Sequence, residues 1–157
     1  MENVKLFYIT KQGIEKIKKE YEQIKTKISA IRKEGAPKIV DAGALDGEYL
    51  TFWENMASME KRIFEIKYFL DRAVLIKKPG DKNIVGLGAT VLVETKNNEK
   101  EKLTIVGVPE ADPSHGLISN ESPVGKSLLG HTVNEEVSVF QNVYKIKDIQ
   151  YHSFLLS

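Results

Sequence analysis

The residues best placed to do chemistry in this 157-residue chain are acids, and they cluster. Asp41, Asp46 and Glu48 fall in the segment Val40-Asp41-Ala42-Gly43-Ala44-Leu45-Asp46-Gly47-Glu48, which holds three acids and no base. Ionised carboxylates only accept, so the chemistry open to this segment is helix capping and the binding of positive charge. Asp46 stands where it would cap a following helix, and Glu48 lies in that helix's first turn, where the dipole favours an acid. Asp41 has no such structural duty. Other chemistries are excluded. There is no cysteine, which removes thiolate metal sites, cysteine nucleophiles and disulfides. His115, His131 and His152 share no metal-ligand spacing. Gly86-Leu87-Gly88 precedes a strand pattern, not a helix, and so is no nucleotide-binding loop.

Two apolar seams bracket the acidic segment. The first is Ile14, Ile17, Tyr21, Ile24, Ile28 and Ile31; the second is Tyr49, Phe52, Met56, Met59, Ile63, Ile66, Leu70 and Ala73. Both step alternately by three and four, the signature of a coiled-coil stripe on a helix. A helix with one narrow stripe cannot bury itself, and the short connection lets the two zip together as an antiparallel hairpin. Thr10 is the expected N-cap of the first helix, which runs to about Glu34, where Gly35-Ala36-Pro37 interrupts it. The second helix is expected from Asp46 to about Ala73. Roughly 25 residues per helix carry the acidic turn on the order of 35–40 Å from the base of the arm. Arg32, Lys33 and Lys38 lie just below that turn, either as a solvated face or as a basic patch. Trp53 lies off the seam, packed across it or presented to a partner.

Beyond Val74-Leu75-Ile76 the chain turns polar, and the period then changes from 3.5 to 2. Strands are expected over 89–95, 103–108, 136–140 and 143–149, the last two joined by a tight Gln141-Asn142 connection. Between the pairs, Ser122 caps a short helix, Pro123 occupies its first position and Gly130 stops it. The domains are therefore expected at 1–76 (arm), 77–84 (linker) and 85–157 (a small antiparallel α+β domain). A net charge of +1 leaves no bulk basicity for nucleic-acid binding. With no apolar run of membrane length and no signal-peptide layout at the start, the expectation is a soluble cytoplasmic protein with no membrane partner.

These features resemble the GreA/GreB family of bacterial transcript-cleavage factors over nearly the whole chain. Thr10-Lys11-Gln12-Gly13 with Ile14, Ile17 and Glu20 is similar to the family's opening threonine-x-x-glycine helix. Glu48-Tyr49 and Arg62-Ile63 resemble its glutamate-tyrosine and arginine-isoleucine pairs at the same separation. Gly88-Ala89-Thr90-Val91, Ile105-Val106-Gly107 and Glu110-Ala111-Asp112 follow in order, and Ile118-Ser119-Asn120-Glu121-Ser122-Pro123 to Leu128-Leu129-Gly130 resembles its most specific signature.

The resemblance implies an α+β protein: an N-terminal antiparallel α-helical coiled-coil hairpin, then a C-terminal FKBP-like antiparallel β-sheet domain with one short helix and no isomerase role. It implies a monomeric accessory factor, not an enzyme, whose partner is bacterial RNA polymerase. Ser119, Glu121, Ser122 and Pro123 would dock at the rim of the secondary channel, and Arg32, Lys33 and Lys38 would touch transcript phosphates. The transcript RNA 3′ end and DNA would be met indirectly, through the elongation complex. No cofactor of its own is implied. In the family, two tip carboxylates help hold Mg²⁺ of the polymerase active site during hydrolysis of a backtracked transcript. Here Leu45 and Ala42 occupy those two positions when Glu48-Tyr49 is kept in register. Two expectations follow: Asp41 and Asp46, with Glu48, serve as substitutes in a shifted turn, or cleavage is lost and the protein acts by blocking the channel.

Overall fold

The computed structural model describes residues 5–38 and 47–153. The order of elements is β1 (Phe7–Ile9), α1 (Lys11–Glu34), α2 (Gly47–Leu70), β2 (Ala73–Leu75), β3 (Ala89–Thr95), β4 (Lys100–Val106), β5 (Leu117–Ser119), α3 (Pro123–Leu128), β6 (Glu136–Val139) and β7 (Asn142–Tyr151). The chain divides into two compact units, Glu15–Asp71 and a second made of Met1–Ile14 with Arg72–Ser157.

The first unit is the helical hairpin. Every seam residue within α1 and α2 is buried or half-buried, with Ile17, Ile28, Met56 and Ile66 the most enclosed. Arg32 pairs with Glu60 at 2.9 Å, and Arg62 grips Glu20 with two hydrogen bonds of 2.7 and 3.0 Å. Both pairs link α1 to α2, and all four side chains are more than a third exposed. Arg32 and Lys33 close the last turn of α1, where cations meet the negative end of the helix dipole. Gly35 follows at φ +82°, and its N–H bonds to the Ile31 carbonyl at 3.0 Å, which ends the helix as a left-handed glycine does.

The second unit is built on a five-stranded sheet in the order β5-β4-β3-β7-β6. β3 alternates strictly, with Ala89, Val91 and Val93 fully buried. These pack with Leu103, Ile105, Leu128, Val137 and Ile146 into one core, and a register shift at Leu92/Val93 curls the sheet over it. Three of the four strand pairings are antiparallel, as expected; β5 adds a parallel pairing to β4, so the sheet is mixed. Among the described residues no helix is long and apolar enough to cross a membrane.

The expected boundary at residue 76 shifts for a physical reason. β1 and β2 form a parallel two-stranded pair, with Phe7 opposite Ala73 and Ile9 opposite Leu75. The Ile76 N–H continues the ladder to the Ile9 carbonyl at 2.9 Å. The residues just before α1 and just after α2 therefore belong with the sheet, and the arm proper starts at Glu15 and ends at Asp71. The second helix stops at Leu70, three residues before its expected end, because Ala73 is needed in β2. The stretch 77–84, expected as a linker, has no regular element, although Ile84 bridges to Thr132.

Candidate functional site

The residues singled out at the base of α3 come together in one rigid turn. Ser122 is the N-cap, and its hydroxyl accepts from the Gly125 N–H at 3.0 Å while donating to the Ser119 carbonyl at 2.7 Å. The Ser119 hydroxyl accepts from the Glu121 N–H at 3.1 Å. Pro123 fills the first helical position, where its fixed φ is already helical and its missing N–H costs nothing. A β-carbon on Gly125 would lie 2.1 Å from the Ser119 carbonyl oxygen, so only glycine lets α3 seat on the end of β5. The outcome is a turn whose two serine hydroxyls are bonded within it, whose Asn120 N–H is held by the Val106 carbonyl at 2.8 Å, and whose Glu121 and Pro123 are exposed to solvent. Lys5 reaches across to Glu121 at 3.0 Å, a pairing that a separation of 116 residues hides from sequence reading.

On the arm, Arg32 and Lys33 are exposed in the last turn of α1, and Lys38 is exposed beyond it. Arg32 and Lys33 share an open groove of about 600 Å³ with Lys25, whose floor is Ile28 and Ile63. Lys25 was not among the expected basic residues, though its spacing of seven and eight from Arg32 and Lys33 is that of one helix face. Glu60 borders the same groove and neutralises part of its charge through Arg32. Trp53 is 48% exposed and touches Tyr49 and Phe52 edge-on, at centroid distances of 6.1 and 5.3 Å. Of the acidic turn, Glu48 lies exposed in the first turn of α2. Asp41 and Asp46 lie outside the described residues, as does the capping role expected of Asp46.

One further grouping is not a catalytic site. Asp112, Ser114 and His115 carry the side chains of a triad, but the Ser114 hydroxyl bonds directly to Asp112 at 2.5 Å. His115 uses the same nitrogen, Nδ1, towards both Asp112 and Ser114. A histidine that does not stand between hydroxyl and acid cannot pass a proton from one to the other. The Ser114 bond, with help from His115, holds the Asp112 carboxyl below its usual range, as an exposed turn clamp would. Among the described residues no group of three or more histidine or acidic side chains could hold a metal ion.

Comparison with known proteins places this geometry. Residues 77–151 match the family described as transcription elongation factor, GreA/GreB, C-terminal. The chain is 41% identical over 145 residues to transcription elongation factor GreA of Bacillus velezensis, covering 88% of this chain and 90% of that protein. The chain belongs to the GreA/GreB family. GreA of Nautilia profundicola is also 41% identical, over 160 residues, covering 95% of this chain and 97% of its own. Among solved structures, GreA factor homolog 1 of Thermus thermophilus is 25% identical, with a TM-score of 0.41 over 93% of this chain and 99% of that one. The turn from Ser119 to Gly125 lies within the matched residues, and in it Ser122 caps α3, Pro123 opens it and Gly125 clears space for it.

Proposed function

We propose that this chain is an elongation factor of bacterial RNA polymerase, working as a cytoplasmic monomer. It docks through Ser119, Glu121, Ser122 and Pro123 at the rim of the secondary channel and presents the end of its arm to the active centre. The observation that carries the reading is the Ser119–Gly125 turn: its serine hydroxyls bond within it and an acid and a proline are left exposed, in a chain about 41% identical to GreA proteins. The FKBP-like character expected of the C-terminal domain is part of the same reading, as is contact of Arg32, Lys33 and Lys38 with transcript phosphates. DNA is met only through the elongation complex.

At the tip, Asp41, Asp46 and Glu48 supply carboxylates beside the Mg²⁺ of the polymerase, and a backtracked transcript is hydrolysed by the polymerase itself. The replacement of both family carboxylates by Ala42 and Leu45 supports a second reading, in which the arm blocks the channel without promoting hydrolysis. One experiment separates them. Protein is added to a halted, backtracked elongation complex with Mg²⁺ and a 3′-labelled transcript. Release of short 3′ fragments, lost with Asp41→Asn or Asp46→Asn, supports the shifted carboxylates. Slowed nucleotide addition without fragments supports channel blocking. Absence of binding sinks both.

A further inference from the structure

The chain has one tryptophan, and neither the seam nor the docking turn accounts for it. Trp53 stands off the apolar stripe of α2, where a large aromatic ring gains little from burial against α1. The ring is nevertheless held. Tyr49 and Phe52 both meet it edge-on, one turn and one residue before it, while 48% of the residue stays in solvent. An indole braced in this way keeps a wide apolar surface in water and has little torsional freedom left to lose on binding.

Trp53 lines an open pocket of about 330 Å³ with Ile31, Phe52 and Met56, and with Arg32 and Glu60. That volume lies at the low end of small-molecule sites, roughly 300–1,000 Å³, and suits one flat ring system. Arg32 and Glu60 also line the groove of about 600 Å³ that holds Lys25 and Lys33, so pocket and groove meet at this ion pair. Every one of these residues lies within the hairpin unit, Glu15–Asp71. A cationic groove that runs into an aromatic pocket is the combination that holds single-stranded nucleic acid: cations follow the phosphates, and bases stack on the rings. An apolar protein surface would complement the pocket but not the three cations beside it. A small free anion would complement the cations but not the aromatic lining.

We infer that Trp53 is a stacking platform for a base of a single nucleic-acid strand whose phosphates run along Lys25, Arg32 and Lys33. Stacking uses the flat face that every base has, so the site selects an unpaired strand and not a sequence. Arg32 has two uses. Paired with Glu60 at 2.9 Å it is partly neutralised; released, it meets a phosphate or lies against the base itself. Glu60 therefore competes with the strand for Arg32 and sets the affinity. That the strand is a transcript, presented by the elongation complex, rests on the proposed function; the affinity of the free protein for a single strand does not.

Because Trp53 is the only tryptophan, its fluorescence reports the site without a label. The free protein is titrated at low salt with tetra-adenylate RNA. Saturable quenching is expected, half-complete below about 1 mM, and an abasic strand of the same length and charge is expected to leave the fluorescence unchanged. Anisotropy of a dye-labelled tetra-adenylate reads the variants. Trp53→Leu is expected to weaken binding about fivefold or more, and Trp53→Tyr, which keeps a stacking face, by less. Glu60→Gln, which frees Arg32 from an exposed pair, is expected to tighten binding by up to about fivefold. Absence of quenching at millimolar strand would overturn the inference, as would equal quenching by the abasic strand or unchanged affinity in Trp53→Leu. The comparison of the two strands uses the native protein, so it decides the question even where a variant fails to fold. Quenching by the strand in a protein that does not bind polymerase would refute the proposed function and leave the site standing. No quenching, with polymerase binding weakened in Trp53→Leu, would overturn the site and assign the indole to a protein surface.

Discussion

Arg62 and Glu20 show how a single pair constrains the arm. The guanidinium meets the carboxylate in a two-point fork, which fixes both position and angle where a lysine would fix only distance. That hydrogen bond, aided by the charge of Arg62, holds the Glu20 carboxyl below its ordinary value of 4.5. A depressed folded-state pKa contributes stability above the unfolded value, and that contribution is lost as pH falls through the folded one. The stability gap between the native chain and Glu20→Gln, read from urea unfolding, is therefore expected to be constant above about pH 5 and to close below 4.5. A gap that widens on acidification would contradict the sign. Both side chains are more than a third exposed, so added salt is expected to shrink the gap as well. Both residues were visible in the sequence only as separate motif positions. Neither 3.5-residue spacing nor charge counting pairs residues 42 apart, and the same blindness hid the Thr10–Glu110 hydrogen bond and the Lys5–Glu121 pair.

Elements were legible in proportion to their length and to how locally their partners lie. α1 begins one residue after its expected cap and ends at Glu34, because 24 periodic residues, more than six turns, outweigh any single exception. β3 spans 89–95 as expected, its alternation being long enough to read. β1, β2 and β5 have three residues each, too few to show a period of two, and their pairings are parallel and non-local. The β6–β7 connection moved by one residue, to Phe140-Gln141, because Val137 and Val139 must both face the core and Val139 pairs with Asn142. That register has a cost. Phe140 sits at φ +56° and is 88% exposed, a left-handed position for a bulky side chain that buries almost nothing. Phe140→Gly is expected to stabilise the protein by about 1 kcal/mol in urea unfolding, since glycine enters this region without the steric penalty. The arm should respond oppositely to loss of its seam. Met56→Ala removes a side chain that is 6% exposed and is expected to cost about 2–4 kcal/mol, whereas Phe64→Ala, on the open face of the same helix, is expected to change stability by less than about 0.5 kcal/mol.

At the scale of the whole molecule, each end of the proposed mechanism must remain available to a partner while the protein is folded. Two acids earlier in the same unit are already committed, Glu110 to Thr10 and Asp112 to its own turn. Glu121 is exposed and bound only at the surface, to Lys5. If Glu121 meets a cation on the polymerase, Lys5 competes for it, and docking must first break that pair. An exposed ion pair is worth about 0–1 kcal/mol, so Lys5→Ala is expected to tighten polymerase binding by up to about fivefold at low salt. The gain should fade as ionic strength rises, because the pair it removes is itself screened. Glu121→Lys should do the reverse and weaken binding at every salt concentration, by losing the acid and adding repulsion. Equal affinities for the native protein and Lys5→Ala at low salt, with Glu121→Lys also unchanged, would remove Glu121 from the docking surface and shift attention to Pro123 and the rim of α3. A tighter Lys5→Ala complex would instead mean that the free protein keeps its docking acid partly occupied, so that binding begins by exchanging one weak ion pair for another.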